Sequence, residues 1–206
     1  MTRLTQHGYA TIAGASWVAT ALYFPVSVAV AATWSPPYNV REHLISDLGT
    51  ARSPAQVWMN LTFIGIGVLT ATGAAALACV REGRTAARSV ACVLLVVAGM
   101  ANVAVGLVPS DGDATLHKLA AVTYFLAHVG AMALLLLAFG HARPALAAWT
   151  ATFIVVAIAG SVALVDDGHF GLGAGVAERF ALDTLAVWRI GVGLSLLAVE
   201  FRRFRS

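Results

Sequence analysis

Residues 89–109 read SVACVLLVVAGMANVAVGLVP, twenty-one positions without one charged side chain. Arg81, Arg84 and Arg88 stand before them, and Asp111 and Asp113 stand after. As a helix rising 1.5 Å per residue, this run crosses the roughly 30 Å hydrocarbon core of a bilayer. Its apolar character is continuous and does not alternate, which excludes a barrel strand. Working outward, five more runs of this kind lie near residues 9–33, 55–80, 117–139, 146–166 and 180–201. The 206 residues are 59% hydrophobic and 11% charged, whereas a soluble domain carries about 25% charged residues. Such a chain needs a hydrocarbon solvent. The reading is therefore all-α: one integral membrane domain over residues 1–206 with six transmembrane helices, and no linker long enough to mark a second domain.

The flanking charges sort by side. With the N-terminus inside, the inner segments hold Arg3, Arg81, Arg84, Arg88, Arg143, Arg202, Arg203 and Arg205 against Glu82 and Glu200, a net of +6. The outer segments hold Arg41, Arg52, Lys118 and Arg179 against Glu42, Asp47, Asp111, Asp113, Asp166, Asp167, Glu178 and Asp183, a net of −4. Basic residues favour the cytoplasmic loops, so both termini are expected in the cytoplasm of a prokaryotic cell whose membrane the chain crosses repeatedly. The basic pI of about 9.2 then reflects anchoring near anionic headgroups. There is no basic stripe or reading motif for nucleic acid. The first run is too long for a signal-peptide core and contains Tyr23 and Pro25, so it reads as a retained span. Cys79 and Cys92 end up on the reducing side and read as small packing residues.

Polar chemistry collects on the outer side. In the first outer connection, Asn39 and Glu42 have capping-box spacing. Val40, Leu44, Ile45 and Leu48 then recur at helical intervals, and Gly49 can close the turn. This predicts a short interfacial helix with His43, Ser46 and Asp47 on one face. Three residues on a single turn do not supply the geometry of a catalytic triad, and no catalytic residue is assigned. The second connection, Pro109 to Asp113, is a turn signature containing Asp111. Beyond it His117, Tyr124 and His128 fall within roughly 20° of each other on one helix face, a polar stripe that must face protein or water. In the third connection Gly171, Gly173 and Gly175 lack the preceding strand of a phosphate loop. Glu178 and Arg179 follow, and Glu178 shares a helix face with Arg189. Arg189 then lies roughly 15 Å below the surface, where a guanidinium needs a partner: a carboxylate, a carbonyl or an anionic ligand. Ser16, Thr20, Tyr23 and Ser27 form a hydroxyl stripe on the first span, and Asn60 and Asn102 lie in the outer halves of the second and third. Together these residues outline an outward-opening cavity suited to an amphiphile. His7 and His141 lie on the inner side and are not assigned to it.

The same positions carry a family resemblance. The chain shows His43-Leu-Ile-Ser46-Asp47-Leu48-Gly49, then Gly106-Leu-Val-Pro109 with Asp111 and His117, then Gly175-Val-Ala-Glu178-Arg179 ahead of Trp188. This order resembles the prokaryotic membrane protein family known as domain of unknown function 998. The resemblance implies a six-helix membrane protein and implies no established activity. The family is in turn similar to eukaryotic membrane proteins of lipid-anchor remodelling and lipid distribution, which implies a role with lipids. Where the family pattern has Gly-Leu before Glu-Arg, this chain has Val176-Ala177.

The expected function is binding or modifying a lipid or small amphiphile, with membrane lipids as partners. The alternatives are a small-molecule transporter using Arg189 and His128 near the midplane, a metal-dependent membrane hydrolase, or a non-catalytic accessory subunit. A homo-oligomer is left open. His43, Asp47, His117, His169 and Glu178 are zinc-ligand types but are scattered, so neither a metal site nor a cofactor is assigned.

Overall fold

The structure, a computed structural model, describes residues 3–139 and 143–205. All regular elements among them are helical: α1 Arg3–Ala19, α2 Tyr23–Ala31, α3 Gln56–Cys79, α4 Ala86–Leu107, α5 Ala114–Phe139, α6 Pro144–Val165 and α7 Ala174–Arg205. Six stretches are long and apolar enough to cross a membrane: Gln6–Ala31, Gln56–Cys79, Ala86–Leu107, Ala114–Ala138, Pro144–Val165 and Ala174–Arg202. They match the six runs read from the sequence. The last begins six residues earlier than expected, because its polar first turns stay helical and are tied to a loop.

The first span is two helices with a 3-10 turn, Thr20–Leu22, between them. Pro25 explains the break. It has no N–H to donate, and its ring crowds the carbonyl four residues back, at Ala21. The tighter turn absorbs the clash, and it places Thr20 and Tyr23 against α7.

Neighbours in sequence are neighbours in space. The principal contacts run from α1 to α3, α3 to α4, α4 to α5, α6 to α7 and α7 back to α1, with α5 meeting α6 to close a ring. Between helices in lipid, close packing replaces the hydrophobic drive that a soluble core enjoys. Gly67 of α3 and Gly99 of α4 show this: a Cβ at either would come within 2.4–2.5 Å of the other's carbonyl oxygen. Trp17, Leu95, Met132, Leu135, Leu185 and Trp188 fill the middle of the ring. The indoles are satisfied: Trp17 donates to the Thr70 carbonyl (3.2 Å) and Trp188 to Thr150 Oγ1 (3.0 Å). Large apolar side chains such as Val68, Val93, Leu119, Leu126, Leu137 and Val155 point outward, forming the surface that lipid would cover.

At the end of the bundle carrying connections 32–55, 108–113 and 166–173 (the loop end), the first connection departs from the sequence reading. Only the 3-10 helix Ser46–Gly49 forms, in place of a helix beginning at Asn39. Asn39 Oδ1 accepts the Arg41 N–H (3.0 Å), and the Asn39 N–H goes to His43 Nδ1 (3.0 Å). Glu42 therefore has nothing to cap and lies exposed, 3.9 Å from Arg41 Nε. Asp47 Oδ2 takes the Leu44 N–H (2.9 Å). Short Asx side chains have outcompeted the helix for its own backbone groups. His43, Ser46 and Asp47 consequently do not share a face. The histidine turns to the rings of Trp34 and Tyr38, 5.0 and 5.2 Å away.

Candidate functional site

A cavity of about 60 Å³ lies inside the ring at the loop end. Its walls come from α2, α3, α4, α5, α7 and the first loop. Tyr23, Ser46, Asn102, His117, Tyr124, Glu178, Asp183 and Arg189 give it polar groups, and Phe63, Ile66, Val105 and Leu182 give it apolar ones. At 10–15 Å³ per water, the volume holds roughly four waters or one small polar group.

The first loop roofs this cavity, and α7 holds the roof. Glu178 is buried, and its Oε2 accepts the Ile45 N–H. Arg179 Nη1 donates to the carbonyls of Gly175 (2.8 Å), Val40 (3.2 Å) and His43 (3.3 Å), and Nη2 donates to the Tyr38 hydroxyl (2.7 Å). That hydroxyl in turn donates to the Leu44 carbonyl (2.7 Å), with His43 O at 2.9 Å sharing the proton. Burial raises the Tyr38 pKa above the ordinary tyrosine value, against the opposing pull of Arg179, so the phenol stays a donor at physiological pH. Arg41 Nη2 donates to the Gly171 carbonyl (2.8 Å), and the Gly175 N–H donates to Arg41 O (3.0 Å). Gly173 and Gly175 serve this close docking, since a Cβ at either would come within 2.2–2.4 Å of a carbonyl oxygen of the first loop.

Deeper in, Tyr23 donates to Asp183 Oδ1 at 2.6 Å. His117 is 7% exposed. Its Nδ1 meets the Val108 carbonyl at 2.7 Å. A carbonyl only accepts, so Nδ1 carries the proton and Nε2 is left for the cavity. Asn102 Nδ2 donates to Phe63 O (2.8 Å). At the floor is Arg189, wholly buried. Its Nε donates to Thr20 Oγ1 (3.3 Å), a hydroxyl whose proton is spent on the Trp17 carbonyl (2.6 Å). Among the described residues Nη1 and Nη2 have no partner. An arginine at this depth costs at least about 2.5 kcal/mol on insertion scales. His128, also wholly buried, has both ring nitrogens unpartnered among the described residues and lies edge-on to Tyr124 and Trp188, with ring centres 5.5 Å from each.

Of the residues singled out in the sequence, the structure brings Ser46, His117, Tyr124, Glu178 and Arg189 to one cavity. His128 lies beneath Tyr124 in the stripe expected on α5. His43, Asp47, Asp111 and Arg179 are not in the cavity wall. Asp111 Oδ2 accepts the Ala51 N–H (2.7 Å) and ties the second loop to the first, and Asp47 and Arg179 order the roof. Neither Ser46 nor Asp47 bonds His43, whose Nδ1 is taken by Asn39. The reading placed Asp183 only among the loop charges and missed its role in the wall. Its partner Tyr23 is 160 residues away, though Tyr23 already stood in the hydroxyl stripe. Among the described residues no three His, Cys, Asp or Glu side chains gather as a metal site.

A second cavity, about 280 Å³, opens at the opposite end, between Leu77, Arg88, Leu135, Val192, Ser195 and Glu200 among others. The sequence reading did not foresee it. Glu200 is buried beside it, with His7 Nδ1 at 2.6 Å. His141 lies outside the described residues.

The family model described as "Protein of unknown function (DUF998)" matches residues 18–195. No curated protein and no solved structure matches the chain. The match runs from the hydroxyl stripe of the first span through every wall of the loop-end cavity to Arg189 and beyond. A chain matched over that stretch, with six membrane-crossing helices, belongs to the DUF998 family.

Proposed function

We propose that the protein binds the polar head of a lipid or other small amphiphile in the loop-end cavity, on the outer side of the cell membrane. One observation carries this reading. Polar side chains from four helices and the first loop converge on one small cavity with apolar walls, in a bundle whose outward surface is largely aliphatic. Polar groups inside a membrane are costly, and they mark substrate or ion sites when they gather. The outward orientation is supported by the charge asymmetry of the connections. The cavity has room for a head group only, so an acyl chain would run between helices or along the lipid-facing surface.

Native mass spectrometry of the protein extracted in mild detergent tests this. We expect a retained amphiphile in the wild type and its loss from Ala121→Leu, which fills the cavity without removing a hydrogen bond. A wild-type protein that carries nothing after mild extraction would overturn the proposal.

A second reading, passage of a small solute, is favoured by the second cavity. Helix α7 lines both cavities, and Arg189 of one is three residues, about 4.5 Å along the helix, from Val192 of the other. Trp17, Trp188 and Met132 fill the core between them. Uptake into proteoliposomes that vanishes in Arg189→Ala would support that reading over the first.

A further inference from the structure

The wholly buried Arg189 guanidinium, with Nη1 and Nη2 bare at the floor of the loop-end cavity, is where we infer an oxyanion sits: a carboxylate or phosphate that forms the deepest part of the head group. This rests on the amphiphile-binding reading and specifies the chemistry of that ligand.

A guanidinium keeps its charge in any protein environment and offers five N–H donors. Here one reaches Thr20 Oγ1, and the four on Nη1 and Nη2 reach nothing. Three partners could neutralise it. A carboxylate does not: the ion pairs among the described residues are His7–Glu200 and Arg41–Glu42. The two acids in the same wall are engaged elsewhere, Glu178 with the Ile45 N–H and Asp183 with the Tyr23 hydroxyl. A backbone carbonyl does not either, since no hydrogen bond runs from Nη1 or Nη2 to any of the described residues. Water in the cavity can hydrate these donors but brings no counter-charge, so among the described residues nothing neutralises the guanidinium, and an anion from outside the chain is what remains. The parallel N–H donors of an arginine fork fit two oxygens of one such group, and the cavity beside it is the size of a carboxylate or phosphate.

The rest of the wall narrows the class further. Asp183 is six residues before Arg189 on α7, about 9 Å nearer the loop end, and Glu178 is higher still. These carboxyl groups, nearer the mouth, can accept a hydrogen bond from a donor on the ligand. A head group with a hydroxyl nearer the mouth and the oxyanion below it would be complementary at both levels.

The test is a sign reversal in thermal unfolding. Arg189→Met removes the charge while keeping the length and bulk of the side chain, and an unpaired buried charge replaced by an apolar residue is often neutral or stabilising. Delipidated wild type should unfold at or below the temperature of delipidated Arg189→Met. On addition of inorganic phosphate, or on transfer to nanodiscs containing phosphatidic acid in phosphatidylcholine, the wild type should gain several degrees. Arg189→Met should gain nothing beyond its response to pure phosphatidylcholine. A wild-type response to phosphate alone would assign the oxyanion to a free anion, and a response to phosphatidic acid alone would assign it to a lipid. Both outcomes support the oxyanion. A lipid retained equally by wild type and Arg189→Met in native mass spectra would overturn the oxyanion and leave the amphiphile reading standing. No response to either probe, with Arg189→Met unfolding well below wild type throughout, would make Arg189 a hydrated structural arginine only and overturn the inference.

Discussion

Replacing Gly175 by alanine should loosen the roof of the cavity, and the structure lets the effect be sized. An ideal Cβ at Gly175 would lie 2.2 Å from the His43 carbonyl oxygen and 2.4 Å from that of Val40. Both are backbone atoms of the first loop, so relief requires the loop to back away by more than an ångström. That displacement strains the Arg179 bonds to Val40 and His43 and the Gly175 N–H bond to Arg41. Overpacking of this kind costs about 1–3 kcal/mol. Alanine recovers up to about 1 kcal/mol of helix propensity, less in a first turn, which leaves a net loss of about 1–2 kcal/mol. Gly65 in α3 is the control, because a Cβ there meets nothing within 4 Å. Gly65→Ala should be neutral or stabilise by up to about 1 kcal/mol. At roughly 2–4 °C per kcal/mol for a chain of this size, the two variants should separate by several degrees in thermal unfolding. Trp34 gives a local reading, since its ring packs on Tyr38 and His43 and under the Arg52 guanidinium (5.3 Å). Its emission should shift in Gly175→Ala and stay put in Gly65→Ala. Equal unfolding temperatures with unchanged emission would refute the docking of the first loop onto α7.

Three further outcomes follow from the same contacts. Tyr23→Phe removes the donor to Asp183 and should destabilise by about 1.5–3 kcal/mol, the range for a bond to a charged acceptor; combined with Asp183→Asn in a double-mutant cycle of unfolding midpoints, the pair should be clearly non-additive. The raised Tyr38 pKa means the folded state holds that proton more tightly than the unfolded state, so its contribution is complete below about pH 10 and is lost as the pH climbs towards the folded value. Trp34 emission should therefore change in that alkaline window, and Tyr38→Phe should abolish that alkaline change. For sidedness, an impermeant thiol reagent on intact cells should label Glu42→Cys and leave the exposed native Cys79 untouched; the opposite pattern would invert the orientation.

How much of this was legible in the sequence depended on how local each cause was. Spans are local: a run such as 89–109 has nowhere else to go, and α4 forms over it. The floor and wall of the site were legible for a related reason. A histidine, tyrosine or arginine inside an apolar run must turn inward, so His117, Tyr124 and Arg189 were found without knowing their partners. The first loop was misread because the capping-box pattern there competes with stronger local bonds. Asn39 has one side-chain oxygen, and the Arg41 N–H takes it; His43 then takes the Asn39 N–H that Glu42 would have needed. Spacing shows that a cap can form, and it is silent on a closer acceptor.

Partnerships across the ring were the least legible. Glu178 and the Ile45 N–H are 133 residues apart, and Tyr23 and Asp183 are 160 apart. Arg189 is the informative case because the same reasoning that demanded a partner left its kind open between a carboxylate, a carbonyl and an anion. The folded chain offers acids within the same wall and spends both elsewhere. A structural arginine needs its counter-charge beside it, since in a low-dielectric interior separation forfeits most of the pairing and leaves the desolvation uncompensated. A bundle that needed only cohesion could have placed leucine at position 189. An arginine held by a single threonine, facing a cavity that it helps to shape, makes physical sense as half of an interaction whose other half arrives from outside.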